Sequence, residues 1–350
     1  MAMKKVICVG SATRDIFLGV NIDDRQPEKI CLSAGKKIYT DDFREAVGGG
    51  AVNVGAGLKK LGFRSFVFAR TDKSWTGKWI QKQIGKLKLK KNYMQQTGKI
   101  PSETSVIIAD KVEQDRTILR SGDAVENFNL LKACQKFRES VDWLYVSSQK
   151  KNHLDNLDIL TNFAKEKRAN IAFNPSSYQI KNNADEVLNK LQNIHILFVN
   201  LDEAVDLLGE NIETYRQKSE ILESKIRELF DKFLNFGVKI MALTDGARGA
   251  WAGSIVDGET VIFHLPAEEI KKVADTTGAG DAFVSGFLGS FINDESELEM
   301  KFVTKLQRAL VGGLASSSSV ISEVGAINGF LKPGQIKRQI KKVIKRIKEI

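Results

Sequence analysis

Cysteine is scarce in this 350-residue chain, with only Cys8, Cys31 and Cys134. So odd and sparse a set builds no disulfide framework and predicts a protein of the reducing cytoplasm. Long apolar runs are missing too. No stretch approaches the roughly 18 residues of a membrane-spanning helix; the nearest, Ala282 to Ile292, is interrupted by Ser and Gly. The apolar residues after Lys5 are too few for the core of a secretory leader. Proline is rare, 5 residues against 28 glycines, while 42% of the chain is hydrophobic and 27% charged. Such a composition folds, and it excludes extended disorder.

Familiar chemical signatures are also wanting. Every Gly-Lys pair lacks the following Ser or Thr of a P-loop, and no window reads GxGxxG, HExxH or GxSxG. His153, His195 and His264 share no metal-ligand spacing. Acidic charge is in deficit: 53 Lys and Arg face 43 Asp and Glu, a net +10. The excess is local. Lys337 to Ile350 holds seven basic residues and one acidic one, while Ile336, Ile340, Ile344 and Ile347 recur at helical spacing. Residues 333–350 are therefore expected to form a basic amphipathic helix, docked by its isoleucines with its lysines in water. No aromatic RNA-binding motif or zinc-finger spacing supports a nucleic-acid partner.

What is present is an alternation of short apolar runs with helical patterns. Lys5 to Val9, Ser65 to Ala69, Trp143 to Val146, Asn170 to Phe173, Ile196 to Val199 and Lys239 to Leu243 read as buried strands. Ala51 to Leu61, Leu154 to Lys167, Ala184 to Leu191 and Ser219 to Phe236 read as helices. This rhythm predicts an α/β fold, a mostly parallel sheet covered on both faces. Ile16 to Ala46 and Thr104 to Leu119 break it with β-like alternation, which predicts a small β lid over one end of the sheet, drawn from about 12–47 and 98–122.

Two segments carry chemistry. Asp275-Thr276-Thr277-Gly278-Ala279-Gly280-Asp281 opens a helix in which Phe283, Phe287 and Phe291 recur every four residues. Small residues at a helix start leave backbone N–H groups open to an anion, and Asp281 stands in the first turn beside them. Gly48-Gly49-Gly50-Ala51-Val52-Asn53 lets a ligand approach the backbone and offers an Asn amide to hydroxyls.

Together these segments resemble the ribokinase-like (PfkB) carbohydrate kinases. Asp15 after the first strand, the Asn-x-x-Glu of Asn200 to Glu203 and the Thr-x-Gly-x-x-Gly of Thr244 to Gly249 follow in the family's order. The resemblance implies a three-layer α/β/α core with a lid, residues 1–332, and ATP-dependent phosphorylation of a hydroxyl. It implies Asp281 as base, with Gly278, Ala279 and Gly280 holding the moving phosphoryl group. Asp15, Gly48, Gly49 and Asn53 would bind the acceptor. Asn200, Thr244, Gly246 and Gly249 would meet the nucleotide, and Glu203 would hold Mg²⁺ through water. Asp275 and Thr277 resemble a monovalent-cation site that potassium fills in many members.

The chain departs from the family in places. Ala51 replaces a common Gly, and Ala69 to Gly77 replaces a commoner Gly-x-Asp-x-x-Gly with two extra residues before Gly77, after Asp72. Ser147 to Lys150 stands where sugar kinases often place a Gln or Glu. Gly325 to Gly329 lacks a hydroxyl that some members use at the cation. The acceptor read from these residues is a small ribose- or fructose-like sugar. A nucleoside is the alternative, with Phe17, Tyr39, Phe43 and Phe128 as aromatic candidates. A catalytically silent nucleotide- or sugar-binding regulator is the rival from another class. Members of the family often dimerise through their lids, and a homodimer is expected here.

Overall fold

The apolar runs line up as parallel strands because each is buried on both faces and must pair on both edges. In chain order the strands of the two main sheets are β1 (Lys5–Val9), β2 (Thr13–Val20), β3 (Asp42–Gly48), β4 (Arg64–Phe68), β5 (Thr104–Asp110), β6 (Arg116–Ser121) and β7 (Trp143–Val146). There follow β8 (Asn170–Phe173), β9 (Ile196–Asn200), β10 (Ile240–Thr244), β11 (Ala250–Val256), β12 (Glu259–Leu265) and β13 (Lys348–Glu349). The central sheet runs β13-β12-β11-β10-β9-β8-β7-β1-β4, parallel from β10 to β4. A second sheet, β6-β5-β2-β3, forms the lid. This computed structural model describes residues 3–20, 25–26, 29–32, 34–40, 42–98, 100–110, 116–122, 128–147, 153–216, 219–270, 273, 275–294, 301–323 and 325–350. Parts of the expected lid spans, and Ser148 to Lys150, lie outside them.

The helices are α1 (Gly50–Lys60), α2 (Trp75–Lys86), α3 (Leu130–Lys136), α4 (His153–Lys167) and α5 (Ser177–Lys190). Then come α6 (Leu201–Leu207), α7 (Ser219–Asn235), α8 (Ala279–Asp294), α9 (Phe302–Ile321) and α10 (Pro333–Val343). They cover both faces of the sheet. One apolar cluster holds α1, α8, α9 and α10; the other holds α3 to α7. Amphipathic α7 illustrates the rule: Ile226, Leu229, Phe230, Phe233 and Leu234 are buried at helical spacing.

Helix α8 is buried nearly all round, including Phe283, Phe287, Leu288 and Phe291. It lies against α9 at glycine distance: a Cβ on Gly286 would come within 2.2 Å of the Gly312 carbonyl oxygen. This packing fixes the direction of α8, and with it the direction of its first turn.

Three features differ from the sequence reading. The edge hairpin β11–β12 runs antiparallel to β10 and within itself, because tight turns at Gly249 and Asp257–Gly258 return the chain at once, and β13 joins β12 antiparallel from the chain's end. A capped turn from Ser177, closed reciprocally by Ser176 and Gln179, precedes the expected helix, and the backbone breaks at Asn183 (φ −151°, ψ 40°) just before Ala184. The basic C-terminal helix stops at Val343, beyond which Lys348–Glu349 pairs with β12. Ile336, Ile340 and Val343 are buried while Lys337, Arg338, Lys341 and Lys342 are exposed.

Candidate active site

Helices α1 and α8 start side by side at the carboxyl end of the strands, beneath the lid. Gly49 precedes α1 at φ 94°, a region that side chains strain to adopt, and a Cβ there would sit 2.5 Å from the Ser11 carbonyl oxygen. A Cβ on Gly48 would lie 2.0 Å from Asp15 Oδ2. This glycine pair thus seats the start of α1 against the lid residue Asp15. The Gly50 N–H donates to Ser11 Oγ at 3.1 Å. Ala51 is wholly buried and belongs to the apolar cluster that α1 shares with α8.

One turn into α1, buried Asn53 donates from Nδ2 to Asp281 Oδ2 at 2.8 Å. Its Oδ1 has no partner among the described residues. A buried acceptor left unpaired costs about 1–3 kcal/mol, which a ligand hydroxyl would recover. Ser147 Oγ and Tyr145 Oη are buried and unpaired in the same way.

Asp281 is half-buried. Burial pushes its carboxyl up to about 6; the Asn53 hydrogen bond opposes the rise and the charge of Asp15 adds to it. Asp15 is itself raised by burial and by Glu103, against hydrogen bonds from Thr13 and Ser105 and the charge of Arg120. At the start of α8, Gly278 adopts φ 80° and is wedged against Ala326. The Ala279 N–H donates to the Thr276 carbonyl at 3.3 Å. The N–H groups of Gly280 and Asp281 have no backbone acceptor among the described residues. Gly280 faces open space: a Cβ there would meet nothing within 4 Å.

Gly280 shares a cavity of about 110 Å³ with Asn174, Asn200, Glu203 and Thr244. Asn200 and Glu203 cap α6 reciprocally, Asn200 Oδ1 accepting the Glu203 N–H at 2.8 Å and Glu203 Oε2 the Asn200 N–H at 3.0 Å. Burial raises the Glu203 pKa, its bond from Asn200 opposes this, and Asp202 and Asp206 add to it. Among the described residues no three His, Cys, Asp or Glu side chains cluster as a metal site.

Gly246 and Gly249 differ in setting. Gly246 opens onto space at φ 47°, while Gly249 is packed under the β12 carbonyl of Leu265, 2.2 Å from where its Cβ would lie. A cavity of about 330 Å³ begins there, bounded by Leu265, Pro266, Leu314, Ser318, Gln339 and Val343. Asp275 accepts the Thr277 N–H at 2.8 Å and the Gly325 N–H at 3.1 Å. Thr277 Oγ1 is buried without a partner among the described residues.

A family model described as pfkB family carbohydrate kinase matches residues 3–333. The chain belongs to that family. It is 23% identical over 308 residues to the ATP-dependent 6-phosphofructokinase of Thermoanaerobacterium thermosaccharolyticum, covering 86% of each chain. It is 21% identical over 327 residues to the nucleoside kinase of Methanocaldococcus jannaschii, covering 92% of each. Among solved structures, the ribokinase of Giardia lamblia superposes with a TM-score of 0.76 at 18% identity, over 97% of this chain and 99% of that one. The fold is ribokinase-like, and the pfkB kinases are phosphotransferases with a hydroxyl acceptor.

Within this pfkB kinase, sequence reasoning passed over Ser11, Tyr145 and Asn174. Asn174 directly follows an apolar strand, as Asn200 does, so its place at the strand end could have been found. Ser11 and Tyr145 carry no local signal; their place depends on how neighbouring strands and helices meet. Asp72 proves to be tied to Ser74 Oγ at 2.9 Å and Ser102 Oγ at 2.7 Å, holding the approach to β5. Of the aromatic candidates, Phe43 and Tyr39 are exposed, and Phe128 belongs to the cluster on the other sheet face. Phe17 is buried and lies on Asp15's side of β2, opposite Ile107.

Proposed function

We propose that this pfkB family kinase transfers the γ-phosphoryl group of ATP to a hydroxyl of a small ribose- or fructose-like sugar, with Asp281 as the base. The observation that carries the reading is the convergence of Asp281, the unpaired Asn53 Oδ1 and the open amides of Gly280 and Asp281. Phosphoryl transfer asks for in-line positioning and stabilised charge rather than covalent help. The first-turn amides and dipole of α8 supply such stabilisation.

Asp281 takes the acceptor's proton as the new O–P bond forms, a step worth about 10²–10⁴-fold. A carboxyl with pKa about 6 is ionised at neutral pH yet basic enough to receive that proton. Asn53 orients it and, with Asp15, binds neighbouring hydroxyls. Beneath the lid, water is kept from competing as acceptor.

The nucleotide runs from the Gly280 cavity, past Thr244 and Gly246, to the cavity beside Leu314 and Gln339, which suits its base. Register puts Thr244 opposite Ala250 and Ala250 opposite Leu265. That is two strand spacings, about 10 Å, an apt reach from phosphate to base. Glu203 would hold Mg²⁺ through water, with Asn200 fixing its carboxylate; a cation would relieve the cost of its buried charge. Bound Mg²⁺ supplies charge neutralisation at the phosphates. Asp275 and the unpaired Thr277 Oγ1 suit a potassium ion.

A nucleoside acceptor is the second reading, favoured by Phe17, which stands two residues from Asp15 on the same lid face. An ATP-coupled panel of sugars and nucleosides, read as product mass, decides between them. Turnover of ribose or fructose ahead of adenosine and cytidine supports the sugar. The reverse order assigns a nucleoside, and no acceptor-dependent turnover supports a silent regulator.

A further inference from the structure

Segments 48–53 and 275–283, which frame the site, contain Asp275 and Asp281 but no Lys or Arg. Asp15 and Glu203 add two more carboxylates, while the reaction carries a highly anionic group between them. A protein cation must therefore reach the site from another element, unless the metal bears the whole charge.

Strand β6 of the lid brings one. In the lid register, Arg120 lies opposite Ser105 and Ser105 opposite Asp15, so alternation puts Arg116 on the face that Asp15 occupies. The Arg116 guanidinium hydrogen-bonds Thr276 Oγ1, and its Nη1 lies 3.9 Å from Asp275 Oδ1. Thr276 is the residue whose carbonyl accepts the Ala279 N–H, so this contact is at the rim of the amide cradle. Among the other described lid arginines, Arg120 pairs with buried Glu103, Arg44 with Asp42, and Arg14 with Glu45 and the Trp75 ring. Asp275 has two backbone donors of its own and keeps them if the guanidinium moves. Exchange of the 3.9 Å approach to Asp275 for a direct bond to a phosphoryl oxygen favours the stronger, charge-assisted contact.

We propose that Arg116 is a further catalytic residue, donating from the lid to the phosphoryl group in transit. The proposal rests on the kinase reading above. The acceptor oxygen forms its bond to the γ-phosphorus as the bond to the bridging oxygen breaks; that electron pair leaves on ADP and the hydroxyl proton passes to Asp281. The guanidinium contributes charge to this transfer and takes no proton.

The test compares native protein with Arg116→Gln and Arg116→Lys. Glutamine preserves a donor to Thr276 but has no charge. Its kcat is expected to fall about 10²–10³-fold, with ADP affinity and both KM values within threefold of native. Binding of ADP with aluminium fluoride and acceptor, a mimic of the transfer, should weaken by a similar factor, and lysine should restore part of kcat. A glutamine variant that binds ADP normally and keeps kcat within threefold overturns the proposal, as does a loss confined to acceptor KM. Native turnover in the same assay reports on the kinase reading separately.

Discussion

Asp281 is a carboxylate held against the preference of its surroundings, and this has two consequences. As the proposed base acts in its ionised form, kcat/KM should rise with pH through an apparent pKa of about 6 and level off above it. A profile flat from pH 5 to 8 would contradict the assignment. Stability runs the other way. The folded-state pKa is raised above the ordinary value of 3.8, so the native state binds the extra proton and loses stability as pH climbs through 6. Asp281→Asn removes this dependence. Its melting temperature should exceed the native protein's at pH 8, with the gap narrowing below pH 6 and closing only near pH 4. At this scale Asp281 and Asn53 were legible in the sequence because their motifs are local. Arg116, Ser11 and Tyr145 were not, because their roles depend on lid register and on which strand ends lie side by side.

The short helix α6 shows how one residue pair serves a cap and, as proposed, a metal. Asn200→Ala should cost about 1 kcal/mol of stability through loss of the N-cap, measurable by urea denaturation. Glu203→Gln keeps the reciprocal cap and removes the charge. Its stability should stay within about 0.5 kcal/mol of native while the Mg²⁺ concentration needed for half-maximal activity rises. An unchanged Mg²⁺ requirement would leave Glu203 as a cap alone. The α8–α9 contact is less forgiving: Gly286→Val drives a branched side chain into the Gly312 carbonyl and Ser316. It should destabilise by at least 1–3 kcal/mol and blunt activity by turning the first turn of α8. Parallel strands were readable from their apolar runs. Helix α9 was not, since Gly312, Gly313 and Ser316 to Ser319 put small residues where a packed helix face is usually large and apolar. Its meaning lies in the close approach of α8.

For the molecule as a whole, the lid has two faces with different fates. The inner one carries Asp15 and Arg116. The outer one presents Ile16, Leu18, Val106 and Ile108 half-buried, with Phe43 57% and Leu119 55% exposed. An apolar face of this kind is expected to pair with a second copy. Sedimentation should give a dimer at micromolar concentration, and Phe43→Asp with Leu119→Lys should shift it to monomer; a monomeric native protein would refute this. At the far end the basic tail is anchored by its isoleucines and by Arg346 to Glu268 at 2.7 Å, so its lysines act as a solvated face. The lid's existence was legible from β-alternation in two insertions, but its pairing and inner face were not, because register is set by contacts between the insertions. All scales meet in one claim, that a carboxylate beside an amide cradle removes a hydroxyl proton while phosphoryl passes. Acceptor-dependent ADP formation by native protein and by Asp281→Asn, at saturating ATP and acceptor, tests it most directly. A loss of at least about 10²-fold with ADP affinity retained is the expected result, and turnover within a few-fold of native would contradict it.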